Sequence, residues 1–339
     1  MLKTFLLAAN AVFPIVFLIL LGYILKRVGF LSREFLSVGN RLVFRCALPV
    51  LLFLNVYGIK GFSDIRFDAV LYSCAVTLIV FLVGFFTVWA TVKDRRRRGP
   101  VWQCFYRSNF ALIGLVLASA LGGSEAEGVA AVLAAFVIPL FNILAVFSLT
   151  VFIKDEDGEK LSVTSFAKKI IKNPFVSVSI LGFFVLFLRS AQVELFGEVV
   201  FSLQYDLPFV YDAMAMLKAM ATPFALIVLG GQFEFSAVGG MKKEVFIGSI
   251  GRLVIVPLLG IGGAALLTHL GVFAFGVNEF PAFVALFGSP VAVSSAIMAG
   301  EMKNDGQLAT QLLVWTSIFS IFTVFATVCI LIGCSLLVV

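Results

Sequence analysis

The chain alternates between long apolar runs and short polar connections. Runs of about 20 apolar residues are long enough to cross the hydrocarbon core of a bilayer as helices. Ten such runs lie near residues 5–25, 36–57, 68–92, 100–121, 127–153, 171–191, 208–231, 243–268, 274–301 and 307–337. Because no run shows the period-two alternation of a membrane barrel strand, the pattern predicts an all-α membrane protein with ten transmembrane helices.

The composition also favours a membrane protein. Hydrophobic residues make up 61% of the 339 residues and charged residues only 13%, whereas about a quarter of a soluble protein is charged. The five cysteines lie inside apolar runs without a CxxC pair, and the chain has one histidine. We therefore expect no metal site, no cofactor and no enzymatic activity. The formal charge of +6 comes from short clusters between apolar runs, so no nucleic-acid partner is expected.

The basic residues predict how the chain is oriented. Connections after the first, third, fifth, seventh and ninth runs hold 17 Lys and Arg residues, against four on the opposite side. The positive-inside rule then places the first set in the cytoplasm and both termini outside the inner (plasma) membrane. The cluster at residues 95–98 is more typical of a topology signal than of a site for anionic membrane lipid.

Matching positions in the two halves of the chain indicate an internal repeat. Pro14 and Gly22 match Pro174 and Gly182, and Ala47-Leu48-Pro49 matches Ala221-Thr222-Pro223. Each half has five runs, an odd number, so the second half must enter the membrane from the opposite side. The predicted fold is two inverted five-helix repeats, at residues 1–153 and 171–339, joined by a cytoplasmic linker at 154–170.

The fourth and ninth runs are interrupted near their middle by Arg107-Ser108-Asn109 and by Gly288-Ser289-Pro290. Ser289 suits an N-cap and Pro290 the first helical position, which predicts a new half-helix over residues 291–301. Ser108 or Asn109 would cap the matching half-helix of the fourth run. Two helix N-termini that meet in the bilayer favour an anion, above all a carboxylate. Ordinary packing kinks are the alternative.

The candidate substrate-binding residues lie mainly at these breaks. They are Arg107, Ser108, Asn109, Ser289, Pro290, Ser294 and Ser295, with Asn55 and Gln232 near the ends of other runs, where capping is an equal alternative. For Arg107, two interpretations remain open: it holds the carboxylate, or its side chain extends toward lipid head groups.

Other polar or kinking positions have expected structural roles. Pro49 and Pro223 are candidate hinges or kinks, and each frees a carbonyl that could also coordinate a cation. Arg252 is expected to pair with a carboxylate, and Glu301 to be a charge at a helix end.

Several motifs resemble those of the auxin efflux carrier family, in its bacterial branch of malonate and malate carriers. They are Phe13-Pro14 through Gly22-Tyr23, Ala47-Leu48-Pro49, Arg107-Ser108-Asn109 with Gly114, Asn173-Pro174, Thr222-Pro223 through Gly230, Arg252 with Pro257, and Ser289-Pro290-Val291-Ala292 through Gly300-Glu301. The resemblance implies crossover helices four and nine that form the site, alternating access and a homodimer. Unlike plant relatives, the chain has only about 17 residues between the fifth and sixth runs. Ser294 and Ser295 stand where sodium-coupled relatives of similar fold carry acidic or amide side chains.

The sequence therefore predicts a secondary active or facilitative transporter of small organic anions, mono- or dicarboxylates. Sodium or a proton as coupling ion stays open. Two alternatives remain: a sodium-coupled symporter of the bile-acid type, and a membrane solute sensor without turnover.

Overall fold

Helices form the regular elements of this protein in residues 2–58, 66–153, 174–233 and 239–337, which its computed structural model describes. This confirms the predicted all-α class. The helices are α1 (Leu2–Arg27), α2 (Arg33–Leu42), α3 (Leu48–Tyr57), α4 (Phe67–Thr91), α5 (Arg95–Tyr106), α6 (Leu115–Thr150), α7 (Pro174–Phe196), α8 (Leu203–Asp206), α9 (Pro208–Gln232), α10 (Lys242–Ile250), α11 (Gly263–His269), α12 (Glu279–Phe283), α13 (Val293–Glu301) and α14 (Gly306–Gly333). The predicted linker at 154–170 lies outside the described residues.

Seven helical stretches within the described residues are long and apolar enough to cross a membrane. They are Arg33–Leu54, Phe67–Thr91, Leu117–Thr150, Val176–Phe196, Pro208–Gln232, Lys242–His269 and Gly306–Gly333. The first, fourth and ninth predicted spans are absent from this set; the fourth and ninth are each divided into shorter helices. The count of ten spans and the inverted repeat stay predictions.

Several neighbouring helical segments are joined by π turns, which are wider than α-helical turns. They lie at Val43–Ala47, Phe110–Gly114, Gly251–Ile255, Leu258–Gly262 and Val284–Gly288. A π turn inserts one extra residue and often marks a functional position. Pro49, a predicted kink, lies in the first turn of α3 directly after the first π turn, whereas Pro223 lies inside α9.

Helix α6 turns sharply at a pair of glycines. Gly122 and Gly123 have non-helical dihedral angles, and Gly123 has a φ of 70°, a conformation that favours glycine. The turn separates a short first arm from a long second arm, at the boundary between the fourth and fifth predicted spans. Gly122 lies against Pro281 of α12, where a Cβ atom would be 2.7 Å from the proline ring.

The helices pack in two sets. One set contains α1, α3, α7 and α9, and the other contains α4, α5, α6, α10, α12, α13 and α14. Contacts of α1 with α14, of α6 with α7 and of α9 with α13 join the sets. The two interrupted spans therefore lie in the same set.

Backbone contact fixes α1 against α9. A Cβ atom on Gly22 would lie 2.1 Å from the Ile227 carbonyl oxygen, and one on Gly230 would lie 2.0 Å from the Ile19 carbonyl oxygen. Only glycine permits such an approach at either position. We call this reciprocal contact the glycine seam.

Hydrogen bonds tie the end of α13 to the start of α5. The Asp305 amide donates to the Arg96 carbonyl at 3.0 Å, and Arg97 forms an ion pair with the Asp305 carboxylate at 3.1 Å. Asn304 Nδ2 donates to the Leu149 carbonyl at 2.8 Å. Helices α5 and α13 are therefore held together at the ends that lie away from their breaks.

Candidate functional site

The first break follows α5, which ends at Tyr106. Arg107 takes an extended conformation, with a φ of −94° and a ψ of 91°, and the helix resumes only at the π turn Phe110–Gly114. Serine and asparagine bond readily to nearby backbone groups and so disfavour a helix interior. Three polar residues in an apolar run thus account for the position of this break.

The second break spans Ser289 to Ala292. Proline disfavours helical geometry in the residue before it, and Ser289 is extended, with a ψ of 151°. Ala292 is also extended and is the N-cap of α13, which begins at Val293. The expected cap at Ser289, with Pro290 at the first helical position and a helix from residue 291, is therefore wrong. The Ser289 hydroxyl instead donates to the Ala285 carbonyl in the preceding turn.

The two breaks pair with each other as a short antiparallel β-bridge. Ser108 lies opposite Val291. The Asn109 amide donates to the Pro290 carbonyl at 2.8 Å, and the Ala292 amide donates to the Arg107 carbonyl at 3.0 Å. These bonds satisfy backbone groups that would otherwise be costly to bury away from water.

A cavity of about 450 Å³, its open mouth included, lies beside this bridge. It is lined by Leu48, Leu51, Leu52, Arg107, Ser108, Asn109, Ile138, Phe141, Asn142, Ala292, Val293 and Ser294. The wall from α3 is apolar, and the opposite wall carries the polar residues of the breaks. We call this cavity the bridge cavity.

Buried polar groups without partners lie at the bridge cavity or next to its lining residues. Ser108 Oγ, Asn109 Nδ2 and Ser295 Oγ are buried and have no hydrogen-bond partner among the described residues. The N-cap of α13, Ala292, supplies no side-chain acceptor for the first amides of that helix. Unsatisfied donors at a helix N-terminus favour an acceptor with negative charge.

The Arg107 side chain stays in the interior. It is 2% exposed, and its Nη2 donates to Asn142 Oδ1 at 2.8 Å. Its Nη1 lies 3.3 Å from Gln103 Oε1 and 2.7 Å from the Met298 sulfur. Of the two interpretations left open by the sequence, extension toward lipid head groups is wrong, because the guanidinium lines the bridge cavity.

Four further candidates, Ser289, Pro290, Ser295 and Gln232, lie away from the lining of this cavity. Ser289 and Pro290 belong to the break but face other groups, and Ser295 is buried one residue beyond Ser294. Gln232, at the end of α9, has its Nε2 3.4 Å from the Leu36 carbonyl. Asn55 lies in α3, and its side chain is outside the described residues.

Arg252 has partners that differ from those expected, whereas Glu301 lies at a helix end, as expected. Arg252 was expected to pair with a carboxylate, but its guanidinium donates to four backbone carbonyls. Glu301, at the end of α13, accepts a hydrogen bond from Asn40 Nδ2 at 2.8 Å. Among the described residues, no group of three His, Cys, Asp or Glu could hold a metal ion.

Comparison with known proteins places the chain in a family. The model of a family described as membrane transport protein matches residues 7–328. The chain belongs to this membrane transport protein family. The match confirms the resemblance to auxin efflux carriers, because the family model covers that group. The bridge between the two breaks is therefore a feature of a membrane transport protein.

Two relatives show how far this similarity extends. An uncharacterized transporter of Methanothermobacter thermautotrophicus is 25% identical over 327 residues, which covers 93% of this chain and 95% of the relative. Protein PIN-LIKES 2 of Arabidopsis thaliana is 26% identical over 130 residues, 37% of this chain and 28% of the relative.

Asn142 is a residue of this transport protein's cavity that the sequence interpretation missed. It lies in α6, lines the bridge cavity and accepts a hydrogen bond from Arg107. Its signal was available, since it is a polar amide in the middle of the fifth apolar run. Gln103 lies four residues before Arg107. Side chains with this spacing are neighbours on a helix, so the sequence could also have indicated this pair.

Proposed function

We propose that this membrane transport protein carries small organic anions, mono- or dicarboxylates, across the inner membrane by alternating access. The observation that carries the proposal is the convergence at the bridge cavity. The Arg107 guanidinium, the buried Asn109 amide and the uncapped start of α13 all line it. Each of these groups is a hydrogen-bond donor or carries positive charge.

A carboxylate matches this set of donors. Its two oxygens accept up to four hydrogen bonds, and a bond that involves a charged group contributes about 1.5–3 kcal/mol. Ser108 and Ser294 add hydroxyl groups to the same wall. A cation in this place would face a guanidinium and the positive end of α13, so the electrostatics disfavour it.

The proposed mechanism uses ten spans in two inverted repeats, with the interrupted spans as crossover helices. Two observations support it: the breaks pair antiparallel, and the cavity lies between the two sets of helices. Leu48, Leu51 and Leu52 come from one set and the polar wall comes from the other. Relative movement of the sets would expose the solute to one side and then to the other.

Orientation and assembly belong to the same proposal. We place the cluster of Arg97, Asp305 and Glu244 in the cytoplasm, both termini outside, and two copies of the chain in a dimer. The basic connections support the orientation, while the dimer rests on the family resemblance alone.

The first test is a thermal-shift screen of the purified protein in detergent. Acetate, lactate, malonate, malate and succinate are compared with their neutral amides, which have nearly the same size. We expect carboxylates to raise the melting temperature and the amides to leave it unchanged, because binding to the folded state stabilises it. Equal stabilisation by an amide or by an organic cation would contradict the anion assignment.

The second test measures uptake of the best labelled carboxylate into proteoliposomes. A carrier accumulates or exchanges label, whereas a sensor binds it without uptake. Replacing sodium with choline distinguishes a sodium-coupled symporter, whose uptake stops, from the carrier proposed here, whose uptake continues. Empty liposomes give the background rate.

A further inference from the structure

Arg252 lies within the π turn Gly251–Ile255 and is 1% exposed. Its Nε donates to the Ser289 carbonyl at 2.9 Å and its Nη1 to the Phe105 carbonyl at 3.1 Å. Its Nη2 donates to the Leu286 carbonyl at 3.1 Å and to the Phe287 carbonyl at 2.6 Å. These four bonds to backbone oxygens use most of the N–H donors of the guanidinium.

These carbonyls belong to the ends of two different helices. Phe105 lies in the last turn of α5, and Leu286 and Phe287 lie in the last turn of the helix that starts with α12. The last carbonyls of a helix have no partner within it and carry partial negative charge. Arg252 therefore satisfies, with one side chain, the C-terminal ends of both interrupted helices.

The charge of Arg252 is balanced by these carbonyls alone in the described part of the chain. The ion pairs found there involve Arg66 and Arg97, which lie elsewhere, and no carboxylate is within 4.0 Å of Arg252. A buried charge without compensation is costly. A ring of backbone oxygens around a positive group is also how proteins coordinate a bound cation.

Two glycines on either side of Arg252 bring its helix close to these ends. A Cβ atom on Gly251 would lie 2.4 Å from the Phe105 ring, and one on Gly260 would lie 2.3 Å from the Phe287 ring. Phe105 and Phe287, whose rings lie against these glycines, also have backbone carbonyls that accept hydrogen bonds from Arg252. The local sequence is thus fitted to both helix ends.

We propose that Arg252 is a positioning residue. Its positive charge holds the C-termini of two helices together at the two breaks, and its side chain does not touch the solute. It does not line the bridge cavity. By binding the negative C-terminal ends of the helices before the two breaks, it leaves the positive N-terminal ends of the segments after the breaks, at Phe110 and Val293, available on the other side of the bridge. This role is independent of which solute the cavity takes.

The test removes the Arg252 side chain and then supplies a guanidinium compound in solution in its place. Arg252→Ala removes the side chain, and Arg45→Ala removes an exposed arginine from another π turn as the matched control. Melting temperatures are measured in detergent without any solute. We expect a fall on the order of 10 °C for Arg252→Ala and a much smaller change for the control.

Millimolar methylguanidinium should then restore part of the loss in Arg252→Ala, because it can enter the vacated place and donate to the same carbonyls. Sodium chloride at the same concentration controls for ionic strength. Wild type and Arg45→Ala should not respond to methylguanidinium. Equal melting of the two alanine variants, no restoration, or restoration in all proteins alike would overturn the proposal.

A second pair of variants covers the case in which Arg252→Ala does not fold. Arg252→Lys keeps a cation with fewer directed donors, and Arg252→Gln keeps donors without charge. We expect the lysine variant to melt at the higher temperature, and the opposite order would refute a cationic role. Because no solute is present, either failure leaves the anion-transport proposal standing.

Discussion

The two breaks interrupt the fourth and ninth predicted spans but contribute different chemistry. The first break supplies side chains: Arg107, Ser108 and Asn109 all line the bridge cavity. The second break supplies mainly backbone, since the Ser289 hydroxyl bonds to its own helix and Ala292 caps α13 with no polar side chain. In the proposed repeat, the two halves would keep the position of the break and divide side-chain and backbone recognition between them.

This difference also predicts that the two breaks contribute differently to solute specificity. Side chains at the first break can be exchanged one at a time, so they can change which solute is bound. In the proposed function, the position of the backbone amides at the second break depends only on where α13 begins, so we expect them to recognise negative charge and little else. The following predictions test whether recognition is divided in this way.

The largest effect is expected at Arg107. Arg107→Gln keeps an amide donor for Asn142 but removes the charge from the cavity. We expect the dissociation constant of the best carboxylate to rise about 100-fold, since a bond to a charged group contributes about 1.5–3 kcal/mol. Titration monitored by thermal shift or by calorimetry measures it. Arg45→Gln is the control, and wild-type affinity in Arg107→Gln would place the anion elsewhere.

The second effect compares one polar residue from each break. Asn109→Ala removes a buried, unpartnered amide and should weaken carboxylate binding about tenfold, the loss expected for one hydrogen bond to a charged acceptor. Ser289→Ala should leave affinity unchanged and lower the melting temperature slightly, because its hydroxyl serves the preceding helix. The two variants are compared in the same binding assay. Stronger loss in Ser289→Ala would reverse the assignment of side-chain recognition to the first break.

The smallest effect tests the backbone of the second break. Val293→Pro removes one amide donor from the first helical position of α13, where proline is well tolerated and the extended Ala292 can precede it. We expect binding to weaken about fivefold with an unchanged melting temperature. Val293→Ala shortens the side chain but keeps the amide, so it should bind like wild type. If both variants bind equally well, the amide does not contact the solute.

The sequence was sufficient to locate both breaks because polar residues or proline in an apolar run are visible without a structure. It could not place the start of α13, since the Ser289 hydroxyl has a choice between the following amides and the preceding carbonyl. Only the structure shows that the hydroxyl donates to the Ala285 carbonyl.

Arg252 illustrates a second limit. A buried arginine in a sequence invites a search for an acidic partner, because backbone oxygens carry no sequence signal. Its four carbonyl partners come from residues 34 to 147 positions away along the chain. Only the tertiary arrangement brings those residues to one guanidinium.

The glycine seam between α1 and α9 has a consequence for which helices can move relative to each other in the proposed cycle. A Cβ atom at Gly22 or at Gly230 would overlap a carbonyl of the partner helix, so neither position has room for a larger residue. In the proposed cycle of alternating access, we therefore expect α1 and α9 to move together as one unit. We expect the proposed movement to occur along the leucine wall of α3, because its apolar side chains can slide past the polar wall without breaking hydrogen bonds.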